Sequence, residues 1–393
     1  VLAATVRVTR DLDTAEEAVQ DAYVRALETW GRDGVPARPG AWLTTVARRR
    51  ALNLLRRGRT LEAKLPLLLE PAGAEPTVDD DPDAIPDDRL RLVFTCCHPA
   101  LAVEAQVALT LRLVCGVATP DVAHAFLVSE PAMAARITRA KKKIAAARIR
   151  YAVPGADELP ARVDAVLTVI HLLYTTGHTA PAGETLVREE LTARALDLAR
   201  MLHALLPGER EATGLLALLL VHEARRATRT DAAGRMLRLA EQDRGAWDRD
   251  RIAEADALLV RALRAGPPGR FLLQAAIAAL HAQAPVHDET DWPQILALYD
   301  ELLRVWPSPV VALNRAVALA MVEGAGPALA AVEALERDGR LAAYRYLHST
   351  KADLLHRLGR DAEAAAAYRA ALALTDNAAE RAFLAGRLGA EEA

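Results

Sequence analysis

The sequence predicts an all-α protein, on three observations. Aromatic residues make up only 4% of the 393 residues, while alanine, leucine and arginine abound, a composition poor in the residues that strands favour. Apolar positions recur at helical spacing along most of the chain, and no long run alternates apolar with polar residues. Short Gly/Pro turns separate these periodic runs. A chain of this length holds two or three domains.

Val1–Arg10 reads as the end of an amphipathic helix. A turn at Asp11–Asp13, with Thr14 or Asp13 as cap, leads to a helix over Ala15–Thr29 whose apolar face is Ala18, Val19, Ala22, Ala26 and Leu27. Its other face carries Glu16, Glu17, Gln20 and Asp21, with acids near the helix N-terminus where the dipole favours them. On the residues alone, that face reads as solvated surface. Gly31–Gly40, with Pro36 and Pro39, reads as a loop. The next helix, Ala41–Arg57, has an apolar stripe of Trp42, Leu43, Val46, Ala47, Leu52 and Leu54 or Leu55, ringed by Arg48, Arg49, Asn53, Arg56 and Arg57. Five arginines within residues 48–57 exceed what solubility asks for; such density suits phosphate contacts and base-edge hydrogen bonds.

Leu61–Asp88 holds nine acids and one lysine. It separates two basic blocks, Val1–Thr60 at +4 and Arg89–Tyr151 at +7, that the overall charge of −3 conceals. Two compact basic blocks fit a polyanion partner, and the acidic tether between them fits a solvated linker. Within the second block, Leu101–Cys115 is apolar at helical spacing and is broken by Gly116. Thr119 caps a short helix over Pro120–Phe126, and Ser129 caps a second from Glu130 to about Arg150. Two helices joined by a tight turn, the second ending in Arg136, Arg139 and Lys141–Lys143, form a helix-turn-helix reading; the alternative is an ordinary helical pair with a solvated basic end.

Several classes are excluded or disfavoured. Cys96, Cys97 and Cys115 are the only cysteines, so no disulfide framework is implied and a reducing cytoplasm fits. The apolar run Gly214–Val221 is far short of the roughly 20 residues a membrane span needs, and no signal-like segment opens the chain. Cys96-Cys97-His98 lacks a second ligand pair and reads as structural rather than metal-binding. His222-Glu223 lacks the second histidine of a zinc-protease helix. No order of Ser, His and Asp, glycine-rich phosphate loop or pair of catalytic acids stands out, so no catalytic residue, cofactor or metal is expected and the chain reads as a non-enzyme.

Three stretches together carry a resemblance. They are Asp11–Trp30 with its Ala-Glu-Glu-Ala-Val-Gln-Asp-Ala-Tyr centre, Pro39-Gly-Ala-Trp-Leu-Thr-Thr-Val-Ala-Arg48 through Ala51-Leu-Asn53, and, beyond the acidic linker, Arg136-x-x-Arg139-Ala-Lys141 in a helix-turn-helix. Their order and spacing over Val1–Tyr151 resemble the extracytoplasmic-function (ECF) sigma factors of bacterial RNA polymerase. The resemblance implies that Glu17, Gln20 and Asp21 bind core RNA polymerase. It implies that Trp42, Arg48, Arg49, Asn53, Arg56 and Arg57 engage the −10 promoter element, Arg49 through phosphate rather than base. It implies that Glu130, Met133 and Arg136 face base edges of the −35 element, while Arg139, Lys141 and Lys142 hold phosphates.

Pro154–Pro160 reads as a linker, and eleven helical runs follow it between Ala161 and Leu388. The last part repeats: at an offset of 35, Leu319 pairs with Leu354 and Gly324 with Gly359. A period near 34 residues resembles tetratricopeptide repeats, which stack into a solenoid with a concave groove; Asn314, Arg315 and Lys351 are candidates to line it. Between linker and repeats lies a mixed-charge stretch around Trp247, including Arg225, Arg226, Arg229 and Arg244, that reads as an internal ion-pair network or as a contact surface toward the first part of the chain. The expected division is residues 1–60 as sigma region 2, 61–88 as acidic linker, 89–151 as sigma region 4, 152–290 as a helical extension and 291–393 as repeats. The expected protein is a cytoplasmic ECF-type sigma factor with no membrane partner, binding core RNA polymerase and promoter DNA. A subgroup of these factors carries a tetratricopeptide-type extension, which implies regulation in cis and hence contact of the extension with the sigma domains. The alternative is a one-component helix-turn-helix regulator with the solenoid as sensor.

Overall fold

The computed structural model describes residues 1–64, 88–126, 128–232 and 234–391. Helices dominate it. Among the described residues the only paired strands are Ala182–Gly183 and Asp376–Asn377, two residues each and parallel. The chain divides into two compact units, Val1–Val169 and Ile170–Ala393. Most of the acidic tether, residues 65–87, lies outside the described residues.

The first unit opens with α1 (Leu2–Thr9), α2 (Leu12–Asp33) and α3 (Pro39–Lys64), which pack on one another. Alanines set that contact. Ala15, Ala18, Ala22 and Ala26 of α2 are buried, as are Leu43, Ala47 and Ala51 of α3; small side chains at i, i+3 and i+4 spacing let two helix backbones approach closely. The α2 cap is Asp11 rather than Thr14 or Asp13. Its carboxylate accepts from the Thr14 backbone N–H at 2.7 Å and from the Thr14 hydroxyl at 2.6 Å. The helix starts a turn early because Leu12 is itself a core residue.

Next come α4 (Asp88–Cys96) and α5 (Val103–Leu109), the latter continuing as a π-helical turn over Thr110–Val114. The expected single helix over Leu101–Cys115 is thus shorter at its start and wider at its end. Leu101 instead sits in a turn whose carbonyl, with that of His98, accepts from the Gln106 side chain at 3.0 and 3.1 Å. Two further helices complete the basic block, α6 (Thr119–Ala125) and α7 (Glu130–Ala146). Ser129 caps α7, accepting from the Ala132 N–H at 3.4 Å. Met133, Ile137, Ala140 and Ile144 form the buried stripe of α7.

Helix α8 (Leu159–His178) begins inside the expected linker and crosses the boundary between the units. Its first turns belong to the first unit: Arg162 donates to the Phe94 carbonyl at 2.5 Å and lies over the Phe94 ring.

In the second unit follow α9 (Glu189–Leu205), α10 (Arg210–Ala224), α11 (Arg249–Arg264) and α12 (Arg270–Gln283). Helix α10 is buried on all sides from Ala212 to Val221 and contacts each of the other three, which explains the apolar run in its sequence. Gly214 makes its closest approach: a Cβ there would lie 2.7 Å from the Leu272 backbone nitrogen and 2.9 Å from Leu272 Cγ. One turn away, Glu211 accepts from the Gly269 and Phe271 N–H groups at 3.0 and 2.7 Å, capping α12 from its neighbour. Gly214→Ala therefore destabilises the fold. Overpacking against backbone costs about 1–3 kcal/mol, more than the roughly 1 kcal/mol that alanine gains over glycine within a helix. A lowered urea midpoint checks this; a raised one would show that α10 and α12 can separate.

The remaining helices pack each against the next: α13 (Trp292–Val305), α14 (Pro309–Val322), α15 (Ala325–Asp338), α16 (Arg345–Arg357), α17 (Asp361–Ala373) and α18 (Ala378–Glu391). The repeated glycines, Gly324 and Gly359, both adopt positive φ, at 95° and 69°. Each turns the chain into the next helix, a conformation that side-chain-bearing residues adopt at a cost. Arg315 and Lys351, candidates for a groove, are paired with Asp300 at 2.5 Å and Glu336 at 2.6 Å.

Candidate functional site

The candidate residues of the first unit fall on three helix faces. On α2, Glu17 and Gln20 are exposed and Asp21 is partly so. Asp21 is bridged by Arg50 of α3, whose guanidinium also reaches Glu17 at 4.0 Å. Leu27, expected on the apolar face, is 82% exposed, and Val24 is exposed beside it. Helical spacing makes one stripe of Glu17, Gln20, Val24 and Leu27, flanked by Asp21. An exposed apolar pair rimmed by acids is the composition of a surface that docks on a basic, partly apolar partner.

Helix α3 offers a different face. Arg48, Arg49, Asn53 and Arg56 are exposed along it, and so is Leu52, which the sequence had placed in the apolar stripe. Ala51 takes the core position instead. Trp42 sits at the edge of the α2–α3 core, its ring 5.4 Å from that of Trp30 in an edge-to-face arrangement. The Arg57 side chain lies outside the described residues.

On α7, Glu130, Arg139 and Lys142 are exposed and Arg136 is partly so. Two candidates do not fit a groove-facing role. Met133 is fully buried, as its place in the i, i+4, i+7 stripe of α7 requires, so its side chain is not presented to a groove. Lys141 is not offered to a phosphate here. Its ammonium, with 12% side-chain exposure, bridges Asp13 at 2.8 Å and Glu16, itself 15% exposed. Burial acts to lower the Lys141 pKa, and the two carboxylates more than reverse it, so the amine is held above its ordinary value. Glu16 is also bridged by Arg112 at 3.0 Å. The Tyr151 hydroxyl adds a second tie, 2.8 Å from the Ala3 carbonyl and 2.7 Å from that of Asp88. The two basic blocks thus hold each other directly, α7 against α2, through residues far apart in sequence.

Cys96 and Cys97 are buried in α4 and the turn after it, and Cys97 Sγ lies 3.5 Å from Thr110 Oγ1. Burial pushes the Cys97 thiol up to about 12, despite that hydrogen bond, the inert state of a structural cysteine. His98 accepts from the Ala100 N–H at 3.1 Å. Among the described residues no cluster of three or more His, Cys, Asp or Glu side chains could hold a metal. No helix of the described residues is long and apolar enough to cross a membrane.

Against known proteins, residues 1–60 match the Sigma-70 region 2 family, so α1, α2 and most of α3 carry that segment. Residues 162–263 match a family of unknown function, DUF6596. Over 388 residues the chain is 45% identical to the uncharacterized protein R00370 of Rhizobium meliloti (strain 1021), covering 98% of this chain and 91% of that protein. No solved structure matches the chain significantly.

Proposed function

The chain belongs to one family with the Rhizobium meliloti protein, and from that premise, with Sigma-70 region 2 at its N-terminus, we propose that it is an ECF-type sigma factor. It binds core RNA polymerase, recognises −10 and −35 promoter elements and starts transcription, with no catalytic chemistry of its own. The observation that carries this reading is the α2 stripe. Glu17, Gln20, Val24 and Leu27 are exposed together within the segment that matches region 2, and an exposed leucine among acids has no role in a helix whose core side is already filled by alanine.

In this reading the exposed face of α3, with Arg48, Arg49, Asn53 and Arg56, holds the melted −10 strand through phosphate and base contacts. Glu130 and Arg136 of α7 read the −35 major groove, while Arg139 and Lys142 fix its position through phosphates. Lys141 joins them only by exchanging Glu16 and Asp13 for phosphate, so promoter binding competes with the α2–α7 contact. Co-elution with purified core RNA polymerase on size exclusion is the direct test; a stoichiometric complex is expected, and two separate peaks would refute the assignment.

The second unit, with its helical stack of tetratricopeptide type, regulates the first in cis. The cut that tests this falls after Val169, not at Pro154, because Arg162 and the first turns of α8 belong to the first unit. A chain ending at Val169 is expected to differ from the full chain in promoter activity; identical activity would remove the regulatory role.

A further inference from the structure

Among the described residues of the second unit, Arg225 and Arg229 are two enclosed guanidinium groups whose hydrogen bonds and ring contacts reach no carboxylate. Tyr174 and His178 of α8 stack with His222 of α10, the His178 ring lying 5.3 Å from Tyr174 and 5.2 Å from His222. Immediately after α10 the chain turns through a short 3₁₀ segment, Arg226–Thr228, which brings Arg225 and Arg229 beside these rings. Two carboxylates lie nearby, and both are already served. Glu223 accepts from the Tyr174 hydroxyl at 3.2 Å and is bridged by Arg226 at 3.2 Å and Arg251 at 3.5 Å. Glu380 accepts from the Tyr346 hydroxyl at 2.6 Å and pairs with Arg345 at 2.9 Å.

Arg229 donates to the His178 carbonyl and, at 3.0 Å, to the Thr179 hydroxyl, neither of which carries charge. Arg225 lies over the face of Trp247, 5.5 Å from the ring centre, and its Nε is sealed from solvent with no acceptor. His178 Nδ1 and His222 Nδ1 are likewise sealed and unpartnered. A guanidinium carries five N–H donors and keeps its charge, and an enclosed cation with no opposite charge is destabilised. The cluster shows the strain: burial, and after it the charge of Arg229, lower Arg225 to about 10. Burial and the neighbouring arginines hold both imidazoles well below their ordinary range, so each is a neutral ring with one N–H to give. All four residues are partly buried.

We propose that this cluster binds a small oxyanion, a carboxylate or phosphate group, held by Arg225 and Arg229 with His178 and His222 as neutral donors. The ligand supplies the missing negative charge and accepts the unused N–H groups; bidentate oxyanions match guanidinium geometry. All four residues lie in the segment 162–263, to which no function attaches. The site stands whether or not the first unit recruits polymerase.

Calorimetric titration of the full chain with inorganic phosphate, and separately with succinate, at constant ionic strength tests it. Saturable one-to-one binding is expected for at least one of the two, which also says whether the group is phosphoryl or carboxylate. Arg225→Gln and Arg229→Gln should each weaken that binding at least tenfold, and Arg304→Gln, on the exposed face of α13, should not. Saturable binding of neither anion, or binding unaltered by both variants, overturns the proposal. Thermal unfolding without ligand separates a site from a structural network: Arg225→Gln should melt no lower than the parent chain. A clear drop would assign Arg225 to the fold and overturn the proposal as well.

Discussion

Glu17→Arg combined with Leu27→Arg is expected to remove core RNA polymerase binding while leaving the fold intact. Both side chains are exposed, so neither change opens a cavity, and surface substitutions away from special features shift stability by within about 0.5 kcal/mol. At an interface the balance differs. A central apolar anchor is worth about 2 kcal/mol or more on truncation, and a charge reversed against a basic partner adds repulsion to the lost attraction. The joint effect is a loss on the order of a hundredfold or greater. Asp21→Arg is a poorer test, because it sets a second guanidinium against Arg50, which now bridges Asp21, and so mixes folding with binding. Surface plasmon resonance on immobilised core, with a matched thermal melt, checks the prediction. Unchanged affinity with an unchanged melt would take the α2 stripe out of the interface.

Arg136→Ala is expected to cost about 1–3 kcal/mol on the cognate −35 duplex if the guanidinium reads a guanine through two hydrogen bonds. The cost should fall steeply on a duplex with that base pair changed. Lys142→Ala should behave differently, weakening every duplex alike and reducing the slope of log K against log salt by about one. The contrast follows from position. Arg136 lies near the start of α7, one turn beyond Met133 in the buried stripe, where a groove-entering helix reaches base edges; Lys142 is exposed further along. Fluorescence anisotropy over a salt series separates the two. An equal loss on all sequences for Arg136→Ala would reduce it to a phosphate contact.

Periodicity makes the helices of this chain legible, and for Met133 it points to the core where the resemblance implies a base contact. Met133 stands four residues before Ile137 and seven before Ala140, so the stripe of α7 already assigned it to the core; its place near the helix start suggested a base contact instead. Helical spacing counts Leu27 with Ala18, Val19, Ala22 and Ala26 on the inward face, whereas Ala15, Ala18, Ala22 and Ala26 complete that face with residues small enough for α2 and α3 to touch. Other features had no local signal. Lys141 finds Glu16 across 125 positions of sequence, and Arg50, one of five clustered arginines, differs from its neighbours only in facing α2. The unpaired Arg225 was visible as dense mixed charge around Trp247, but which arginines would find carboxylates depended on Arg251 and Arg226 reaching Glu223 first.

A sigma factor directs core RNA polymerase to promoters. Transcription in vitro from a pool of genomic fragments, with purified core alone, with core plus the full chain, and with core plus the chain ending at Val169, tests this for the chain most directly. New start sites preceded by two shared elements at a fixed spacing, dependent on one or both forms of the protein, are the predicted result. No protein-dependent start from either form, together with specific retention of DNA by the protein alone, would contradict it and leave a DNA-binding regulator that works without joining polymerase.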